Sequence, residues 1–401
     1  MATTNIYGPE SGSIAVAGGE SNLASGTVGI VPSPLGASHN YEVRTNPTAA
    51  AALVQLGQVD SAGTVPSIYR SVRFGLRIAA LPSAGTRIVA LSDGTSYFDM
   101  LTLNSNGTLS IGRALVLDAT STKAFIPDGK LHWIEFDVGW SSGNGRRVFV
   151  DGEEWASVAT TASVAKGRQV FGVIDATTAY LLFSGIVSDD ANLATIWGSW
   201  KVGILLPVSD SAINSWVGGA GGTTNLFEAV NNVPPVGVAT TADTNTSQVK
   251  NANATVPNNL DLACQSYSNF GLKEDDIIRA VHATTVHGEG AASGSKTGTV
   301  EILSNPASGS SNTFLAGVNV GAIGTYSTNW YTRSGPVTES PTVTLTTQPV
   351  VRIAKTNANT GEVHLCWAGI YVAYTPQDTP ELHGRPFGLS GHRQMNQLLV
   401  Q

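Results

Sequence analysis

The chain has little charge. Asp, Glu, Lys and Arg together make up 13% of its 401 residues, about half the share found in ordinary soluble domains. Lys plus Arg number 22 against 29 acidic residues, a net charge of −7. Clustered cations are what phosphate backbones require, so this balance argues against a nucleic-acid partner. No apolar run approaches the ~18–20 residues that span a bilayer, which argues against membrane insertion. The first residues, Met1 to Tyr7, lack the basic and apolar regions of a signal peptide. With only two cysteines, Cys264 and Cys366, a disulfide framework is ruled out and at most one bridge can form. Both sit in strand-like runs and are expected as buried free thiols, in keeping with folding in a reducing cytoplasm.

Helical periodicity is also scarce, and no segment predicts a helix longer than two turns. What is abundant is glycine, at 44 residues, together with Ser, Thr and Asn, a composition that suits strands and turns. Residues 1–60 are Gly-, Ser- and Pro-rich with little periodicity and read as an extended N-terminal arm. Within it Ala49 to Val54 could form one short helix. From 61 to 208 short strands recur at close spacing. Ser71 to Ile78 alternates polar and apolar residues, and Arg147–Val150, Asp151-Gly152 and Trp155–Val158 read as a hairpin with an Asp-Gly turn. Residues 209–376 resume the pattern after an irregular entry. Val363 to Val372 is apolar at nearly every position, as expected of a strand buried on both faces. Residues 377–401 form a C-terminal tail. The fold class expected is all-β: two tandem β-sandwiches of jelly-roll type between an arm and a tail.

The run Leu131 to Trp140 is the richest in chemistry. Strand alternation places Trp133, Glu135, Asp137 and Gly139 on one face, and Ile134, Phe136 and Val138 on the core face. Glu135 and Asp137 are therefore expected to point together into a concave or solvated side. Asp93, Asp99, Asn104 and Asn106 are the side-chain oxygens in and beside the turns of this region, which the resemblance described below makes candidates for sugar or Ca²⁺. No dense run of acids gives the six to eight oxygens a hard cation wants, and these residue types are also turn formers. His282, His287, His383 and His392 lack zinc-site spacing. Gly218 to Thr224 lacks the Lys of a phosphate-binding loop. No catalytic residue, metal or cofactor is assigned.

The stretch from Lys130 to Val158 has His132-Trp133 opening a strand and Phe149-Val150-Asp151-Gly152 closing the next. It resembles the concanavalin A-like, laminin-G-like jelly-roll family over about residues 70–190. That resemblance implies two curved antiparallel sheets. It also makes Glu135, Asp137, Asp93 and Asn104 the candidates to face a glycan. Some glycoside hydrolases of this fold carry E-x-D-x-x-E or E-x-D-x-E on one strand. Here Glu135 and Asp137 fill the first two positions, but the last is Gly139 or Trp140. The proton donor is missing, and one carboxylate cannot serve as both nucleophile and acid.

Three further stretches are Trp200 to Pro207 running into Ser215-Trp216-Val217-Gly218-Gly219, Asn225 to Pro235, and Val363 to Pro376. Together with the jelly roll they resemble bacteriophage virion proteins, chiefly minor tail proteins. The resemblance implies a structural, non-enzymatic protein assembled in the host cytoplasm into the virion. Its implied partners are other virion proteins, copies of itself and, through the jelly roll, host surface glycan. A capsid decoration or head fibre protein, a lectin-like adhesin and, last, a glycoside hydrolase are the alternatives.

Overall fold

A computed structural model describes residues 4–7, 28–32, 41–45, 47, 52–56, 70–92, 96–113, 116–138, 145–159, 168–189, 192–193, 195–218, 225–231, 249–251, 258–273, 276–289, 296–303, 313–323, 348–355 and 363–377. Twenty-four strands run through these segments, and the described residues hold helical structure only as single 3-10 turns at Leu226–Ala229 and Tyr267–Phe270. The fold is all-β.

The first fourteen strands are β1 (Thr4–Tyr7), β2 (Val28–Pro32), β3 (Tyr41–Thr45), β4 (Ala52–Leu56), β5 (Ser71–Ala80), β6 (Thr86–Ser92), β7 (Tyr97–Leu103), β8 (Thr108–Arg113), β9 (Val116–Ala124), β10 (Leu131–Val138), β11 (Arg146–Val150), β12 (Glu153–Val158), β13 (Arg168–Val173) and β14 (Tyr180–Asp189). They make two antiparallel sheets. One runs β12-β11-β10-β5-β14-β3-β2, with β1 also paired to β14; the other runs β4-β13-β6-β7-β8-β9. Alternation along β5 sends Val72, Phe74, Leu76 and Ile78 inward, and β10 sends Ile134, Phe136 and Val138. They meet Ile88, Leu101, Ile111 and Phe171 of the six-stranded sheet in one core. The Asp-Gly hairpin forms between β11 and β12, with Asp151 at φ 51° and Gly152 at φ 84°. Two successive positive φ values give a turn whose twist matches the flanking strands.

The described stretches of residues 1–60 do not stand apart as an arm. Four of them, β1 to β4, add strands to both sheets of the first sandwich. The segment expected as a short helix supplies the strand β4, which pairs with β13. A Gly- and Ser-rich segment shows no periodicity because these strands are short, four or five residues each.

The remaining strands are β15 (Lys201–Leu205), β16 (Pro207–Asn214), β17 (Val217–Gly218), β18 (Val249–Asn251), β19 (Asn258–Cys264), β20 (Ile277–Glu289), β21 (Lys296–Leu303), β22 (Thr313–Ile323), β23 (Val350–Lys355) and β24 (Val363–Thr375). Strand β24 centres one sheet, with β15 and β18 on one side and β20 on the other. The facing sheet runs β16-β19-β23-β21-β22. Leu260, Leu262, Val300, Ile302, Val351 and Ile353 of this facing sheet pack against Leu365, Ala368, Ile370 and Val372 of β24. Because β15 pairs with β24, the second sandwich starts by residue 201, ahead of the boundary at 208 that strand spacing suggested.

The two sandwiches stack. Trp133 and Val187 of the eight-stranded sheet share a third apolar cluster with Trp197, Trp200, Val202, Ala280, Trp367, Tyr371 and Ala373. The molecule is therefore four β-layers deep, with the eight-stranded sheet and the β24 sheet in the middle. This explains why β24 is apolar on both faces. Leu365, Ala368, Ile370 and Val372 face one neighbour layer, while Trp367, Tyr371 and Ala373 face the other. The switch from odd to even inward positions falls where the β20–β24 register shifts, between the Val286–Trp367 and His287–Leu365 pairs. One extra residue in a strand reverses which side chains face each way.

Side chains of the flanking strands β10 and β14 leave no room at Gly75. A Cβ there would lie 2.6 Å from Ser184 Oγ and 2.8 Å from Leu131 Cδ1. Gly75→Ala is expected to cost about 1–3 kcal/mol through overpacking, read as a lowered denaturation midpoint. An unchanged midpoint would show that the Ser184 and Leu131 side chains do not crowd this position.

Candidate functional site

The outer face of β10, with its two carboxylates, is not open to solvent. Glu135 and Asp137 are both 0% exposed. They lie beneath the segment that joins the two sandwiches, between β14 and β15. Each is held by an arginine from a neighbouring strand, at a register that follows from antiparallel pairing. Glu135 lies opposite Arg73 of β5, and Asp137 lies opposite Arg147 of β11.

Arg73 donates through Nε to Glu135 Oε2 (2.9 Å), through Nη1 to Asp189 Oδ2 (2.5 Å) and through Nη2 to the carbonyl of Thr195 (3.2 Å). Its guanidinium also lies 3.9 Å from the centre of the Trp197 ring. The other oxygen of Glu135 accepts the consecutive backbone N–H groups of Trp197 (2.9 Å) and Gly198 (3.0 Å). Asp137 accepts from Arg147 Nε (2.9 Å) and from Asn192 Nδ2 (2.9 Å). Arg147 Nη2 reaches the carbonyl of Leu193 (3.1 Å), and Asn192 Nδ2 also reaches that of Val138 (3.0 Å). The two ion pairs thus hold the joining segment flat on the sheet. Trp197 and Trp200 then project from it: Trp200 lies 4.2 Å from Trp133, and Trp197 meets Trp200 edge-on at 5.9 Å. Trp200 also donates from Nε1 to the carbonyl of Gly185 (3.2 Å).

Burial is the largest influence on the Glu135 carboxyl and pushes its pKa up. The Arg73 charge and the amides of Gly198 and Trp197 pull the other way. A carboxylate sealed from water costs free energy unless donors surround it. Here every donor is supplied by Arg73 or the joining segment. The arrangement fixes backbone position; it leaves no face on which a substrate or water could approach.

The other sequence candidates are dispersed. Asn104 occupies the β7–β8 turn. Its Nδ2 donates to Thr108 Oγ1 (2.9 Å) and Ser110 Oγ (2.8 Å), and its carbonyl accepts from Gly107 N–H (2.9 Å). Asn106 accepts from the amide and hydroxyl of Thr108 in the same turn. Asp99 is buried in the first sandwich, where Arg146 of the opposite sheet binds it and also reaches Asp118 (3.1 Å). It serves as a tie between sheets, not a loop ligand. Asp93, the glycine run 219–224, and His383 and His392 of the tail lie outside the described residues. Among the described residues no three His, Cys, Asp or Glu side chains converge as a metal site. Cys264 is buried and free, and burial raises its thiol to about 12. The side chain of Cys366 lies outside the described residues.

Sequence reasoning gave Arg73, Arg147, Asn192, Trp197 and Trp200 no part in the site. The signal was there in part. In so uncharged a chain, Arg73 on the polar face of Ser71–Ile78 and Arg147 at the start of the Asp-Gly hairpin are complementary to the two acids on the polar face of β10.

No protein-family model matches the chain, and no curated protein does. Partial likenesses exist among solved structures. Trypanosoma rangeli sialidase is 14% identical with a TM-score of 0.33, covering 43% of this chain and 30% of its own. Domain 4 of AbnA, a GH43 extracellular arabinanase from Geobacillus stearothermophilus solved with arabinotriose, is 15% identical with a TM-score of 0.35, covering 48% of this chain and 95% of its own. The binding domain of Paraclostridial Mosquitocidal Protein 1 is 11% identical with a TM-score of 0.33, covering 49% and 53%. The chain thus spans less than a third of the sialidases it partly matches. At these scores none assigns an activity to it.

Proposed function

We propose that the chain is a structural, non-enzymatic component of a bacteriophage virion, a minor tail protein, assembled in the host cytoplasm with neighbouring subunits and copies of itself. The observation that supports this reading most is the fate of Glu135 and Asp137. The one strand whose carboxylate spacing suggested glycoside hydrolysis uses both acids to fasten the join between the sandwiches. A buried pair of this kind raises rigidity and orientation at the expense of reactivity. A four-layer β-stack with a fixed join is suited to holding position in an assembly. Mass spectrometry of purified particles tests the reading: the chain is expected among the virion proteins, and its absence from them would remove the proposal.

Contact with host glycan is the finer part of the same reading. It would fall to the loops at the ends of the first sandwich, since the face bearing Glu135 and Asp137 is covered. A glycan array probed with the full chain is expected to give binding that Asp137→Asn leaves unchanged once folding is verified. Turnover of a host polysaccharide that Glu135→Gln abolishes would instead establish a hydrolase.

A further inference from the structure

The second sandwich holds a lysine in its interior. Lys355, the last residue of β23, is 1% exposed. Lysine is among the residue types least often enclosed. Its direction follows from alternation along the strand. Val351 and Ile353 lie in the core between the two sheets, and β23 pairs with β19 and β21 through this stretch without a shift of register. Lys355 therefore points between the sheets as well.

The facing sheet offers a matching residue. Asn251, the last residue of β18, is also 1% exposed. It pairs with Val363 of β24, and both Val363 and Val249 of β18 belong to the same core, so Asn251 points inward too. Both residues sit at one end of the sandwich. Only residues 356–362 separate Lys355 from Val363 in the chain. Only residues 252–257 separate Asn251 from Asn258, which pairs with Lys355 across the β19–β23 ladder. They also sit on the same side: β18 and β15 flank one edge of β24, and β15 runs almost directly into β16, the neighbour of β19. Facing sheets pack ~10 Å apart, a gap that an extended lysine and an asparagine span between them.

A lysine amine sealed from water favours its neutral form, which is the nucleophile. An asparagine carboxamide is an acyl group that such an amine can attack. An acid is needed to move the proton, and Glu289 holds the register position on the other side of Val363 from Asn251. We propose that Lys355 and Asn251 join in an isopeptide bond that ties the two sheets of the second sandwich together covalently. Nζ of Lys355 attacks Cγ of Asn251, the Nζ–Cγ bond forms, the Cγ–Nδ2 bond breaks and ammonia leaves. One proton passes from the amine to the departing nitrogen, carried by Glu289. Nothing is oxidised or reduced, so no co-reactant is required. The product is a neutral amide, which costs less to enclose than an ammonium ion. Like a disulfide, the bond restricts the unfolded chain, in a protein whose cysteines supply no such framework.

The cross-link goes beyond the virion reading and does not depend on it. The mass of the intact, denatured full chain tests it. One ammonia less than the sequence mass is expected, and the deficit is expected to vanish in Lys355→Arg and in Asn251→Ala. Asn251→Asp is expected to lose water in place of ammonia and to give the same product as the unaltered chain. Glu289→Gln is expected to slow the loss by about a hundredfold or more. Proteolytic digestion of the unaltered chain is expected to release a branched peptide that joins Lys355 to Asn251. The measurement on the unaltered chain needs no variant, so it decides the question even where a substitution prevents folding. A full sequence mass, a deficit that Lys355→Arg retains, or a branched peptide that joins Lys355 to a different residue would overturn the proposal.

Discussion

Arg73→Leu is expected to destabilise the folded chain by about 3–5 kcal/mol, the usual cost of stranding one member of a buried ion pair. Arg73 is the cation that faces Glu135, and it also serves Asp189, the Thr195 carbonyl and the Trp197 ring. Its removal leaves a carboxylate at 0% exposure with only two amide donors. Glu135→Gln is expected to do less, about 1–2 kcal/mol. Its amide oxygen can still accept the N–H groups of Trp197 and Gly198, and Arg73 keeps Asp189. Urea denaturation at neutral pH separates the two. The ordering matters as much as the size. If both variants proved neutral, the joining segment would not depend on these charges. If Glu135→Gln were much the worse, the amide contacts would outweigh the guanidinium.

The second large effect is on acid stability. His282 of β20 is fully enclosed, its ring edge-on to Tyr371 at 6.4 Å, and burial lowers its pKa to about 3. In the unfolded chain it titrates near 6.5. The folded-state pKa of this base is therefore depressed. Its contribution is intact above pH 6.5 and is lost progressively as pH falls from there toward 3, because only the unfolded chain takes up the proton. Each pH unit in that window costs up to about 1.4 kcal/mol, or about 3 kcal/mol by pH 4.5. Denaturation curves at pH 7 and 4.5 are expected to differ by that amount beyond what Asp and Glu groups contribute. His282→Gln is expected to remove this part of the slope. Identical pH slopes in the two proteins would place His282 in contact with water.

Much of the local structure is readable from residue order. The alternation in Ser71–Ile78 and Leu131–Val138 puts the correct side chains in the core. Asp151-Gly152 gives its hairpin, and the continuous apolar run of β24 shows burial on two sides. These features depend on neighbours within a few residues. The environment of the outward faces does not. Glu135 and Asp137 look solvated because a polar face on a strand is usually wet. What covers them is a segment some sixty residues later, followed by a sheet whose central strand lies beyond residue 360. The same distance effect hid the strands of residues 1–60. Each is too short to show a period, and each forms only because a long strand such as β14 offers an edge for β1 and β3. Asn104 and Asp99 illustrate the other ambiguity: an amide or carboxylate near a turn serves a turn or a cross-sheet tie as readily as a ligand.

The central claim is that Glu135 acts as a fastening for the join and not as a reactive group. Amide hydrogen exchange at Trp197 and Gly198 tests it most directly. With their N–H groups on a buried carboxylate, both amides are expected to exchange as slowly as those of core strands, and to speed up by orders of magnitude in Arg73→Leu. Exchange at the rate of an open loop in the unaltered protein would contradict it.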